Sequence, residues 1–217
     1  MTNIGLEYLT NLKNLDLGYN NNITSCTLIK FTSLIELNLE YNYSITDDDL
    51  NILTNITKLH LRYNRVITKL SELTNLQSLN INVNDMITNK VLKNLTKLTH
   101  LSPQSNYEIT IDGLTDLKKL ISLDLSDNNV ILDNDLRNLT QLSKLYLYLN
   151  RKRTDKELIN LQNLTCLKLY QSNIKTDYKF NKLMSLKKIV TNTHLDDQMV
   201  KLLTDNGTFI NYDNSLS

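Results

Sequence analysis

Nine times along this chain a leucine or isoleucine opens one recurring spacing of apolar residues, and seven of the nine close it with asparagine. The spacing is LxxLxLxxN. It reads Leu12, Leu15, Leu17 and Asn20, then Leu34, Leu37, Leu39 and Asn42, and far downstream Leu120, Leu123, Leu125 and Asn128. With the first leucine as position 1, repeats open at Leu12, Leu34, Ile56, Leu76, Leu98, Leu120, Leu142, Leu164 and Leu186. The steps are 22 residues, except 20 between Ile56 and Leu76. Such a period means one supersecondary element per repeat, each burying its apolar edge only by stacking on the next. A chain of 217 residues would otherwise fit one or two ordinary domains.

Inside a repeat, positions 3 to 7 alternate: Leu15 and Leu17 fall between Asn14, Asp16 and Gly18. A period of two with one apolar face predicts a short strand, and stacked strands predict a parallel sheet. Position 9 is Asn20, Asn42, Asn64, Asn84, Asn106, Asn128 and Asn150. An amide both donates and accepts, so this column predicts a buried polar ladder between neighbouring turns. Position 12 is isoleucine from Ile23 to Ile131, followed in most repeats by threonine. Position 17 (Leu28, Leu50, Leu92, Leu114, Leu136, Leu158, Phe180, Leu202) and position 20 (Phe31, Leu53, Leu95, Leu117, Leu139, Leu161, Leu183) stand three apart, which predicts a short helix on the far side of each repeat. Thr46 with Asp47, Asp48 and Asp49, and the capping box Thr154-Asp155-Lys156-Glu157, mark helix starts. The two-residue-short repeat at Ile56 predicts a tighter, 3₁₀-like turn through Leu70 and Leu73.

The array departs from itself in places. Pro103 stands at position 6, where a residue without an N–H predicts a weakened or bulged strand. Arg153, Ser172, Thr191 and His194 break the pattern toward the C-terminus, as capping repeats do. Asp205-Asn206-Gly207 predicts a turn, and Thr208 to Tyr212 a last edge strand. Leu6 and Leu9 match positions 17 and 20 of a repeat without a front half. The expectation is one domain over residues 1–217 with about nine repeats, a partial repeat at 1–11 and degenerate capping repeats from about 164 to 217.

These motifs resemble the leucine-rich-repeat superfamily, over nearly the whole chain. The 22-residue period and the NLTxL phrasing are similar to internalin-type and phosphatase-regulator-type repeats, and the Thr-Asp-x-x-Leu stretch resembles the repeats of F-box adaptors. The resemblance implies an α/β solenoid: a curved array with a parallel β-sheet on its concave face and short helices or 3₁₀ turns on its convex face. It also implies a non-enzymatic protein–protein interaction scaffold that binds a partner protein on the sheet. The substrate-recognition part of a ubiquitin-ligase adaptor is an alternative, although this sequence shows no F-box.

Composition narrows the remaining classes. Formal net charge is +1, unlike a dedicated nucleic-acid or membrane-surface protein. Residues 1–112 carry 9 basic and 11 acidic side chains, and residues 113–217 carry 15 and 12. No apolar run approaches the roughly 18 residues of a membrane span, and MTNIGLEYLT lacks the features of a secretory signal. Cys26 and Cys166 form no disulfide framework, which favours a reducing compartment. The expectation is a cytoplasmic monomer (host cytoplasm for a viral protein or secreted effector), with an extracellular place left open. Zero alanine beside 31 asparagines fits AT-rich coding, as in some giant viruses, protists and bacteria.

No HExxH, CxxC, phosphate loop or GxSxG occurs, so no catalytic residue, cofactor or metal is expected. Cys166 shares a column with Lys144 and Lys188, but no base or oxyanion group accompanies it. Partner choice should therefore reside in positions 3, 5, 7 and 8, which point away from the core. Two clusters stand out. The first holds Asp16, Glu36, Asn38, Glu40, Lys58, His60 and Arg62, bordered by Tyr19, Tyr41 and Tyr63. The second holds Lys144, Tyr146, Tyr148, Lys168 and Tyr170. Tyrosine and arginine concentrate binding energy at interfaces, although the Tyr19 column could equally cover the ladder's edge. The second cluster with Arg151, Lys152 and Arg153 carries an alternative reading, nucleic-acid binding, against which the near-neutral charge counts.

Overall fold

A computed structural model describes residues 2–131, 136–150, 158–171, 180, 182–192 and 194–213. They form two compact bodies, Met1–Lys119 and Leu120–Ser217. In the N-terminal body, strands β1 (Asn14–Asp16), β2 (Glu36–Asn38), β3 (Lys58–His60), β4 (Ser78–Asn80) and β5 (His100–Ser102) pair in parallel and in order. Register follows the repeat: Leu15 faces Leu37, Leu37 faces Leu59, Leu59 faces Leu79 and Leu79 faces Leu101. One-turn helices return the chain: α1 (Asn3–Leu6), α2 (Ser25–Leu28), α3 (Asp47–Leu50), α4 (Asn89–Leu92) and α5 (Ile111–Leu114). The C-terminal body repeats the scheme with β6 (Ser122–Asp124), β7 (Lys144–Tyr146), β8 (Cys166–Leu169), β9 (Lys188–Thr191) and β10 (Phe209–Tyr212), also parallel in order. It carries a 3₁₀ turn at Leu158–Asn160 and a nine-residue helix, α6 (Asp197–Asp205).

Helices of four residues have no stability of their own in water. Packing holds them. Every position-12 isoleucine from Ile23 to Ile131 is fully buried, as are Phe31 and Phe180. Each such side chain contributes about 1.5–3 kcal/mol relative to exposure.

The asparagine column is the predicted ladder. Asn64 Nδ2 donates to Leu39 O at 3.1 Å and Asn42 O at 2.7 Å, while its Oδ1 accepts from the N–H groups of Val66 and Ile67. Asn84 does the same one repeat on. In the C-terminal body Asn150 Nδ2 donates to Leu125 O and Asn128 O. A second polar column joins the helices. Asn3 Oδ1 accepts from Thr24 N, Asp47 Oδ1 from Thr68 N, and Asn89 Oδ1 from Thr110 N. Thr24, Thr68 and Thr110, each following a position-12 isoleucine, are thus held by the first helical residue of the preceding repeat. Gly113 makes room for this: a Cβ there would lie 3.1 Å from Asn89 Cα and run into the Asn89 amide.

Several expectations are corrected. The strands are shorter than positions 3 to 7, because the backbone turns at position 8. Tyr19, Tyr41, Tyr63, Val83, Ser105, Asp127, Leu149 and Gln171 all have φ between 47° and 59°. None is glycine, and each bears the roughly 1–2 kcal/mol strain of the left-handed region. The hydrogen bonds of the bend offset it: Tyr19 N donates to Glu40 O at 2.8 Å, and Asn20 N to Leu17 O at 3.0 Å. The short repeat forms no helix; one turn, Leu73 N to Leu70 O at 3.1 Å, buries both leucines. Pro103 causes no bulge on the β4 side, where β5 keeps its three residues and its register. Leu9 is 48% exposed, so it is not a core residue as its position implied. In α6 the buried residues are Met199 and Leu203, one turn apart, in place of Leu202. His194 is exposed, lying tilted against Tyr212, and does not extend the ladder. Thr191 takes a leucine's place fully buried, its hydroxyl on Leu169 O at 3.5 Å. The turn at Gly207 (φ 74°) and the edge strand β10 are as expected. Arg151 to Arg153, the capping box at 154–157 and Ser172 lie outside the described residues.

Candidate interaction faces

On the N-terminal body, parallel register sets position-3 and position-5 side chains beside their counterparts about 4.8 Å away. Glu36 therefore meets Lys58 (3.3 Å) and His60 (3.6 Å) on the next strand, and Glu40 meets Arg62 at 3.1 Å. The Arg62 guanidinium also lies 4.9 Å from the Tyr63 ring centroid. Tyr19, Tyr41 and Tyr63 stack at 4.6 and 4.5 Å. Their left-handed backbone aims all three rings along one line. Desolvation, then the neighbouring Tyr63 phenol, raises the Tyr41 pKa above its ordinary value. The first cluster is thus brought together as expected, with its charges satisfied by one another.

One member has a job the pattern did not reveal. Asn38 Oδ1 accepts from Glu40 N at 2.9 Å, and Asp16 Oδ1 accepts from Gly18 N at 2.8 Å and from Asn38 Nδ2 at 2.9 Å. Asn80 and Asp124 accept from Asn82 N and Ser126 N in the same way. Where position 5 is Asp or Asn, it closes the turn that leads to position 7. The recurrence of Asp16, Asn38, Asn80 and Asp124 in one column was the available signal.

On the C-terminal body, Tyr148 and Tyr170 stack at 4.9 Å with an interplanar angle of 11°. Lys168 Nζ sits over the Tyr146 ring, 4.7 Å from its centroid. Tyr146 and Tyr148, expected to be exposed, are half-buried, and Tyr170 is buried. These side chains, with Asp124, Ser126, Lys188, Val190, Asn211 and Asp213, line a cavity of about 380 Å³. Burial, then Cys166 and Asp124, pushes the Tyr146 phenol up from its ordinary pKa. Lys144 stands exposed at the head of β7, beside Cys166 in register. The arrangement offers aromatic faces, phenol hydroxyls and ammonium groups, a chemistry of binding. No helix among the described residues is long and apolar enough to cross a membrane.

No protein-family model matches the sequence, and no curated protein sequence matches it. Solved structures do. An internalin (inlF) from Listeria monocytogenes superposes with a TM-score of 0.71 at 27% identity, over 95% of this chain and 62% of that one. Rad7 in its complex with Elc1 from yeast gives 0.69 at 18% identity, over 94% and 64%. TLR13 in a complex with a single-stranded RNA gives 0.62 at 24% identity, over 87% and 34%. The chain spans about three-fifths of the length of the internalin it matches. Its fold is that of the leucine-rich-repeat proteins, with internalins among its structural neighbours.

Proposed function

We propose that the chain is a non-enzymatic scaffold that binds a partner protein on its sheet faces, with Lys144, Tyr146, Tyr148, Lys168 and Tyr170 making the main contact. The observation that carries this is the stacked Tyr148–Tyr170 pair beside Lys168 over Tyr146, around a 380 Å³ cavity. Rings already held in place lose little freedom when a partner docks, so more of the contact energy appears as affinity. Glu36, Asn38, Glu40, Tyr41, Lys58, His60, Arg62 and Tyr63 form a second surface, whose paired charges favour a partner with complementary polar groups. Against nucleic acid, Asp124 and Asp213 line the same cavity and would repel a phosphodiester chain. Two free thiols, Cys26 and Cys166, fit a reducing, cytoplasmic setting.

Affinity capture from cells of the native organism tests this reading. The double substitution Tyr146→Ala and Tyr148→Ala should abolish recovery of the partner while the melting temperature stays within a few degrees of wild type. Undiminished recovery by the double variant would overturn the assignment.

A further inference from the structure

The two bodies treat their surface cations differently. On the N-terminal face Lys58 and Arg62 each hold a glutamate from the preceding repeat. On the C-terminal face Lys144, Lys168 and Lys188 are exposed and, among the described residues, make no ion pair. Register places Lys144, Cys166 and Lys188 side by side on β7, β8 and β9, with Lys168 two residues along the middle strand. The three ammonium groups therefore outline a triangle. Its Lys144–Lys188 edge spans two strand spacings, roughly 10 Å. One ammonium is already anchored over the Tyr146 ring.

We infer that this face receives an acidic, extended segment of the protein partner, its carboxylates spaced to meet Lys144 and Lys188. The inference rests on the scaffold reading and specifies the partner's chemistry. An extended segment of polyproline-II type has three residues per turn and rises about 3.1 Å per residue, so carboxylates three residues apart share one face about 9 Å apart and match the roughly 10 Å edge. Lys168 meets a group lying between them, and the tyrosine-lined cavity beside the triangle takes an intervening side chain. Carboxylates on successive turns of such a segment, with neutral residues between them, can avoid Asp124, which the unbroken run of charges on a nucleic acid strand cannot. Asp124 is itself fixed in place, since its Oδ1 accepts from Ser126 N at 3.0 Å and from Ser126 Oγ at 2.5 Å.

The test is fluorescence anisotropy on the full chain with three labelled probes: a peptide of four Glu-Gly-Tyr triplets, its Lys-Gly-Tyr counterpart, and a twelve-nucleotide single-stranded RNA. The glutamate peptide should bind, weaken as salt is raised, and lose about tenfold or more in affinity on the combined change Lys144→Ser, Lys168→Ser and Lys188→Ser. The pair Lys93→Ser and Lys118→Ser on the other body, exposed and in neither cluster, should leave it unchanged, and thermal melts should show both variants folded. The inference is overturned by absence of glutamate-peptide binding, by equal binding of the lysine peptide, or by indifference to the triple change. Tighter binding of the RNA would overturn it in favour of nucleic acid. If the peptide fails while the Tyr146→Ala, Tyr148→Ala variant still loses the native partner, the acidic-segment inference falls and the scaffold reading stands.

Discussion

The side-chain amide of Asn64 donates to the main-chain carbonyl of Asn42 at 2.7 Å, one repeat away and fully out of water. The same side chain donates to Leu39 O and accepts from the N–H groups of Val66 and Ile67. One residue thereby satisfies four backbone groups belonging to two successive repeats. This cross-linking makes the ladder a source of cooperativity in a stack whose elements are each too short to persist alone.

Replacing Asn64 by leucine should leave those four groups unpaired at a cost of about 1–3 kcal/mol or more. Asn22 is exposed, and Asn22→Leu should change stability by no more than about 0.5 kcal/mol. Thermal melts of the two variants compare them directly. Equal shifts would mean that the amides are passengers of the apolar packing.

Gly113 lies in α5, where alanine would ordinarily favour the helix by about 1 kcal/mol. Here the added methyl would press on the backbone of Asn89 and displace the amide that holds Thr110 N at 2.9 Å and Thr110 Oγ1 at 2.7 Å. Gly113→Ala should therefore destabilise the chain by about 1–3 kcal/mol. A denaturant midpoint at or above wild type would show that α5 and α4 separate without cost.

Asp49 gives the chain an acid-sensitive cap. Its carboxylate accepts from the Thr46 N–H at 2.8 Å and the Thr46 hydroxyl at 2.9 Å. Burial pushes its pKa up, but hydrogen bonds from Ser25 and Thr46 outweigh burial and hold it below the ordinary carboxylate value. A folded pKa below the unfolded one contributes stability above the unfolded pKa of about 3.9, and that contribution is lost as pH falls through the folded value. Asp49→Asn should thus cost about 1 kcal/mol at neutral pH, and the gap to wild type should narrow as the pH drops below 4. Melting curves recorded from pH 7 down to pH 3 check this; a gap constant across that range would remove ionisation from the account.

Much of the scaffold was legible because apolar burial is periodic and non-directional. Leu37 needs only to be apolar at the right interval to land against Leu15 and Leu59. The asparagine ladder was legible for a related reason: an amide recurring among leucines has to find partners within its own stack. The faces were legible only as lists. Sequence placed Glu36, Lys58 and Arg62 on one surface and Lys144, Lys168 and Lys188 on another, without saying which would pair.

What the sequence determined alone was therefore the repeat, the parallel sheet, the buried isoleucines and phenylalanines, and the membership of the two clusters. The tertiary structure decided the rest. It set the left-handed bend at Tyr41 and Val83, with no glycine to announce it, because hydrogen bonds to the next repeat offset a strain that local preference opposes. It closed Glu36 on Lys58 and left Lys144 and Lys188 without ion pairs among the described residues. Salt bridges and ring stacks are directional. They depend on the side chain standing one strand away, and that neighbour is 20 or 22 residues distant in the chain until the repeats stack.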